Sequence, residues 1–286
     1  MKHALELQGI DKRFGGFQAL AGADFAARWG EVHALLGENG AGKSSLMNIA
    51  AGLYAPEAGT LRVDDNPVRL AGPRDAARHH IGMVHQHFKL VGPFSVAENI
   101  LLSLPDPAHE APAQGYRARL QAVRRAIAQQ AQALGFGIDA EARVGALSVA
   151  EQQRVEILKV LLAGARILIL DEPTAVLTDA EALRLLQTVR SLARQGAAVV
   201  LVTHKMADVK AYADRVTIMR GGKTIATLAP HEATEAELVR MTVGETAAAT
   251  PARPLAPTPR TAPGATGAPA RPDAIRLAAR GLRSAH

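Results

Sequence analysis

The sequence predicts an α/β fold built around a mostly parallel sheet. Short apolar runs alternate with helical patterns along residues 1–244, several of those runs are unbroken, and a glycine-rich loop joins one of them to a helix. The expected strands are 32–36, 81–84, 167–170, 199–202 and 216–219. An unbroken run such as Ile167-Leu168-Ile169-Leu170 suits a strand covered on both faces, because neighbouring side chains point to opposite sides. Leu120, Val123, Ile127 and Leu134 fall on one side of a helix, with Arg117, Arg124 and Arg125 elsewhere on it. The stretch around that helix, roughly 106–163, has no strand signal, and a helical insertion is expected over about 88–163. Near its start, Phe88, Val91, Phe94 and Val96 read as local core or as an apolar docking groove, the groove being favoured for some of them.

Composition narrows the classes. With 286 residues, 48% hydrophobic and 21% charged, the chain is long and apolar enough for a sizeable core. No apolar stretch approaches the ~20 residues a membrane-spanning helix needs. The opening Met1-Lys2-His3-Ala4-Leu5-Glu6-Leu7 has a charge where an export signal would have its apolar run, and the absence of cysteine removes disulfides and thiol chemistry. The net charge of +6 is mostly a tail property. Residues 245–286 hold six Arg against Glu245 and Asp273, leaving 27 basic and 25 acidic side chains elsewhere. With aromatics at 3%, a nucleic-acid partner is disfavoured. Residues 245–273 are rich in Pro and Ala and read as a linker. Beyond them, 274–286 faintly repeats the N-terminal Ala4-Leu5-Glu6-Leu7 pattern as a possible first strand of a second unit.

The chemistry is concentrated in two segments. Gly37-Glu38-Asn39-Gly40-Ala41-Gly42-Lys43-Ser44-Ser45 fits the G-x-x-x-x-G-K-[ST] loop, after an expected strand and before the helical pattern Leu46, Ile49, Ala50, Leu53. Glycines let backbone N–H groups close around an anion, and the helix start adds its positive dipole end. Lys43 would neutralise β- and γ-phosphates, and the Ser44 hydroxyl would ligate Mg²⁺. The second segment is the run 167–170 ending in Asp171-Glu172, at the strand end where α/β sheets bind ligands. Asp171 would hold Mg²⁺ and Glu172 would polarise an attacking water. Together they predict binding and hydrolysis of a nucleoside triphosphate.

Further motifs support a family. Gln86 stands in Met83-Val84-His85-Gln86-His87-Phe88, Leu147-Ser148-Val149-Ala150-Glu151-Gln152-Gln153-Arg154 lies about twenty residues before Asp171, and His204 follows 199–203. With the two segments above and Phe14 in Lys12-Arg13-Phe14, residues 1–244 resemble one ATP-binding cassette (ABC) of a transporter ATPase. The resemblance implies a P-loop fold of ABC type, with an antiparallel β subdomain and an inserted helical subdomain beside the mostly parallel core sheet. It implies ATP stacked on Phe14, Gln86 at Mg²⁺ and γ-phosphate, His204 as switch histidine, and Ser148, Ala150 and Glu151 in the signature that completes a partner's ATP site. LSVxEQQRVEILK at 147–159, DEPTAVLT at 171–178 and VHQHFKL at 84–90 look like bacterial simple-sugar and nucleoside importers. Such cassettes would work in pairs, as a tandem half or a homodimer. They would sit on integral-membrane permease subunits at the cytoplasmic face of the inner membrane, served indirectly by an extracytoplasmic solute-binding protein.

One position departs from that pattern. Ala150 stands where the related importers carry glycine, and a methyl there is expected to crowd the partner's γ-phosphate, so that Ala150→Gly would raise turnover. Two other readings stay open: a soluble cassette protein of translation or repair, and a truncated nucleotide-binding remnant. His85-x-His87 reads as strand surface rather than a metal pair, for want of a third ligand nearby.

Overall fold

The computed structural model describes residues 2–104 and 115–244. The linker assigned to 245–273 and the strand assigned to 274–286 lie outside the described residues. Two sheets organise the rest. Strands β1 (His3–Phe14), β2 (Phe17–Arg28), β4 (Ala58–Val63) and β5 (Asn66–Val68) form an antiparallel sheet in the order β2-β1-β4-β5. The second sheet holds β3 (Val32–Leu36), β6 (Ile81–Val84), β7 (Ile167–Asp171), β8 (Ala198–Thr203), β9 (Arg215–Arg220) and β10 (Lys223–Leu228), in the order β10-β9-β3-β8-β7-β6. Only the β9–β10 hairpin in it is antiparallel. All five expected strands are present, each within two residues of its expected ends.

The unbroken runs are buried on both faces, for the reason their composition suggested. Ile167, Ile169, Val200, Val202 and Leu35 point into one core cluster. That cluster includes Leu46, Met47 and Ile49 of helix α1 (Lys43–Ala50) and the inward side chains of β1 and β2. Leu168, Leu170, Val199 and Leu201 point the other way, onto Leu185, Leu186, Val189 and Leu192 of helix α6 (Asp179–Arg194). Removing a full Leu or Ile side chain from water is worth roughly 1.5–3 kcal/mol, so these two layers hold the sheet from both sides. Helix α2 (Pro73–Arg78) leads into β6, while α7 (Met206–Tyr212) and α8 (Glu235–Val243) cover β3 and β9 through Val209 and Leu238.

Helices α3 (Val96–Ser103), α4 (Tyr116–Leu134) and α5 (Val149–Leu162) form a third cluster around Ile100, Val123, Ile127 and Leu158. Val96 is fully buried in it and belongs to the core, whereas Val91 and Phe94 remain exposed. The expected groove therefore loses Val96. Local chemistry starts these helices: α3, α5, α6 and α8 each open on a Ser/Thr-x-x-Glu box, from Ser95, Ser148, Thr178 and Thr234. Such caps contribute about 1 kcal/mol each. Among the described residues no helix is long and apolar enough to cross a membrane.

A buried polar chain inside the second sheet meets the first sheet at one aromatic contact. His33 on β3 lies with its ring 4.7 Å from that of Phe25 on β2. Its Nδ1 is 3.1 Å from Glu31 Oε1 and its Nε2 is 2.8 Å from Thr217 Oγ1. Burial holds its pKa below the ordinary 6.5, against the opposing pull of Glu31. A base with a depressed native pKa binds fewer protons folded than unfolded. Its contribution is therefore intact above 6.5 and is lost as pH falls through the window below it. The urea midpoint is expected to drop between about pH 7.5 and about pH 5.5 more steeply in the wild type than in His33→Gln, as parallel denaturation curves would register.

Candidate nucleotide-binding site

The site is assembled where β3, β8 and β7 end side by side. Their register pairs Leu36 with Thr203 and Asp171 with Val202, so Gly37, His204 and Glu172 each emerge at the same edge. The loop 37–42 leaves β3 and enters α1 at Gly42, whose φ of +100° is open to glycine and strained for other residues. A Cβ there would lie 2.9 Å from the Ala19 carbonyl oxygen and from Leu20 Cδ2, so the tight approach of the loop to β2 also demands glycine. Ala41 packs into the sheet core, while Glu38, Asn39 and Gly40 stay exposed at the rim.

Lys43 is buried, and its Nζ donates to the carbonyls of Gly37 (2.8 Å) and Glu38 (3.0 Å) across the loop. Burial lowers its pKa, opposed by the carboxylates of Glu172 and Asp171. A partly desolvated cation at the base of a loop of exposed backbone is a site for an anion. Ser44 Oγ donates to Asp171 Oδ1 at 3.3 Å, placing two hard oxygen ligands together. Asp171 is itself buried. Desolvation raises its pKa, the Ser44 hydroxyl works against that, and the neighbouring Glu172 adds to it. The next residue, Glu172, adopts φ +48°, a left-handed conformation that costs a non-glycine residue on the order of 1 kcal/mol. That turn points its carboxylate at two partners: Gln86 Nε2 is 3.5 Å from Oε2, and His204 Nδ1 is 3.3 Å from Oε1.

A cavity of about 430 Å³ brings together Phe14, Asn39 to Ser45, Gln86 and Glu172. Gly37 and Glu38 sit with His204 in an adjoining cavity. The chain thus gathers Phe14, the loop, Gln86, Asp171, Glu172 and His204 around one place. Ser148, Ala150 and Glu151 line neither cavity. They form the start of α5, where Glu151 Oε2 accepts from the Ser148 hydroxyl (2.7 Å) and backbone N–H (2.8 Å), and these bonds hold its carboxyl below the ordinary range. Phe17 was not foreseen. It is 67% exposed, lines the same cavity as Phe14 and pairs with it across the Gly15-Gly16 turn. The F-G-G-F spacing, a two-residue hairpin with an aromatic on either side, carried that signal. Tyr54 was missed as well; its ring meets Phe14 edge-on at 5.2 Å, and nothing local in the sequence links the two.

Comparison with known proteins agrees with this geometry. A sequence profile described as ABC transporter matches residues 20–175, more than half of the chain. The chain belongs to the ABC transporter family. It is an ATP-binding cassette. It is 42% identical over 240 residues to the nucleoside import ATP-binding protein NupA of Lactococcus lactis subsp. cremoris, covering 84% of this chain and 46% of that protein. It is 44% identical over 244 residues to the ribose import ATP-binding protein RbsA of Chelativorans sp., covering 85% and 46%. The cassette spans about half the length of the curated relatives it matches. Among solved structures, a nucleotide-free ATP-binding cassette from an ABC transporter superposes with a TM-score of 0.72 at 22% identity, over 85% of this chain and all of that one. The cbiO1 protein of Clostridium perfringens, part of the ABC transporter complex cbiONQ, superposes with a TM-score of 0.70 at 26% identity over 84% and 94%.

The placement of Ala150 revises one expectation. The residue is only 7% exposed, second in α5, against the cleft between the end of α4 and α6; its neighbour Val149, at 44%, faces outward. The methyl is therefore covered by the chain's own fold. Ala150→Gly is expected to leave ATP turnover within about twofold and to lower the melting temperature, because glycine costs a helix roughly 0.5–1 kcal/mol relative to alanine. Asp171 supplies a second test. A carboxyl with a raised native pKa takes up protons on folding, so stability falls as pH rises from the ordinary 3.8 through the native value and stays lower above it. Asp171→Asn is expected to melt higher than the wild type at about pH 7, with the gap closing at about pH 3, by calorimetry at both.

Proposed function

We propose that this cassette binds ATP with Mg²⁺ and hydrolyses it to drive a bacterial importer of a simple sugar or nucleoside. The observation that carries the reading is the convergence of Gln86 and His204 on Glu172 at the mouth of the Lys43 loop. The names of the relatives, which import nucleosides and ribose, support the solute class.

The donor set suits the ligand. Phe14, 41% exposed at the cavity edge, offers a ring face for adenine, with Phe17 beside it. The backbone of 37–42 and the N-terminus of α1 receive phosphate oxygens, and Lys43 turns from the loop carbonyls to the β- and γ-phosphates. Mg²⁺ would supply charge neutralisation at the phosphates, held by Ser44 and Asp171 with Gln86 nearby. Glu172 orients a water and accepts its proton as the water oxygen attacks the γ-phosphorus; the bond to the β-phosphate bridge oxygen breaks, leaving ADP and phosphate. His204, bonded to the same carboxylate, holds Glu172 in place and reaches toward the γ-phosphate.

Ser148 and its neighbours lie away from this site, which gives them a place in a second one. Two cassettes face to face would bring the α5 N-terminus of each to the phosphates of the other, with its dipole and the Ser148 hydroxyl as donors. The exposed Val91 and Phe94 would dock a membrane permease on the cytoplasmic side, and specificity for the solute would reside outside the cassette. ATP drives closure to the extent that it binds the paired state more tightly than the open one.

Turnover per molecule is expected to climb with protein concentration. Glu172→Gln should bind ATP as tightly as the wild type and lose at least about 100-fold in turnover, the usual size of a lost general base. Equal turnover in the two proteins would reject the role of Glu172, and turnover independent of concentration would reject pairing of this chain with itself.

A further inference from the structure

The residues that tie Gln86 to the helix carrying Ser148 have no part in the chemistry above. Glu156 lies two turns into α5 and is 2% exposed. A carboxylate so far from water persists only when its oxygens are paired. Its Oε1 accepts the backbone N–H of Lys89 at 2.9 Å, and its Oε2 meets Lys159 Nζ at 2.6 Å, one turn further along the same helix. Lys159 Nζ in turn lies 3.4 Å from the Lys89 carbonyl oxygen. Both polar backbone atoms of Lys89 are thus held by side chains of α5.

The segment is also closed on its other side. Lys89 Nζ lies 3.0 Å from His85 Nε2, so the residues flanking Gln86 bond to each other across it. Residues 85–89 therefore form a small loop with Gln86 facing Glu172 at one side and Lys89 pinned to α5 at the other. From Glu156 back to Ser148 is eight residues of one helix, about 12 Å at 1.5 Å per residue. Along it, Val155 and Leu158 pack with the helical cluster and Ile157 packs against the sheet.

We infer that Glu156 is a positioning residue that couples the Gln86 loop to the signature end of α5, so that ATP·Mg²⁺ at one site shifts the helix that presents Ser148 to the other. The inference rests on the reading of Gln86 and Ser148 as nucleotide contacts. Coupling of this kind needs a rigid element held at a defined point, and the Glu156 pair provides the only side-chain bonds from α5 to residues 85–89 among the described residues.

Hydrogen exchange of the full chain with and without ATP·Mg²⁺ tests it, using Glu156→Met, which fills the space without a strong acceptor, and Glu156→Gln, which keeps an oxygen for the Lys89 N–H. In the wild type, ATP·Mg²⁺ should slow exchange over 37–45, 84–90 and 149–152. Glu156→Met should keep protection at 37–45, which reports a folded and occupied site, and lose the response at 149–152. Glu156→Gln should restore it. Turnover should follow, falling roughly two- to thirty-fold in kcat for the Met variant with KM for ATP unchanged, and recovering in the Gln variant. An undiminished response at 149–152 in Glu156→Met, a wild type without that response, or a rise in KM with unchanged kcat would overturn the inference. Absence of protection at 37–45 in the wild type would instead overturn the nucleotide site on which it rests.

Discussion

The insertion of β8 between β3 and β7 is the constraint on which the site depends. Two parallel strands cannot neighbour each other without a crossover, and here the crossovers place α1 on one face and α6 on the other. With β8 in the middle, the loop after Leu36, the histidine after Thr203 and the carboxylate after Asp171 leave the sheet at one level. The N–H of Glu172 reaches the Val202 carbonyl at 2.9 Å, so even the strained residue beyond β7 is tied to the central strand. A slip of one residue in either pairing would turn Asp171 from Ser44 and break the constellation.

Burial then sets the electrostatics. Lys43 and Asp171 are both taken from water and driven toward their neutral forms by desolvation; Glu172 and Asp171 pull Lys43 back toward its charged form, and the Ser44 hydroxyl and Lys43 do the same for Asp171. Added charge of either sign near such a pair moves both groups. A polyanion at the loop favours the charged lysine, and a cation between Ser44 and Asp171 favours the charged carboxylate. ATP with Mg²⁺, the ligand proposed for this site, carries both of those charges.

Helix α5 does more than fill the helical subdomain. Its first turn is stabilised by the Ser148–Glu151 box, its middle is bound to the Gln86 loop, and its apolar residues divide between the helical cluster and the sheet. The element that carries the signature thus packs in both subdomains, as do Leu134 at the end of α4 and Phe136 just after it.

Much of this was legible in the sequence where the cause is local. The phosphate loop is contiguous and its glycines answer to backbone geometry, the unbroken apolar runs answer to two-sided burial, and the Ser/Thr-x-x-Glu boxes answer to unpaired N–H groups at helix starts. Asp171 and Glu172 were legible as the end of an apolar strand run, whereas Phe14, Gln86 and His204 came from the resemblance to ABC cassettes. Tertiary structure alone decided where Tyr54 meets Phe14, that Val96 is core, that the Ala150 methyl is turned inward, and that Glu156 grips the backbone of a residue 67 positions away. Those outcomes depend on which faces meet once helices pack. A helix in sequence shows its period and its caps, but the side chain that closes a contact with another element is chosen by the docking of the two, which the chain reaches only when folded.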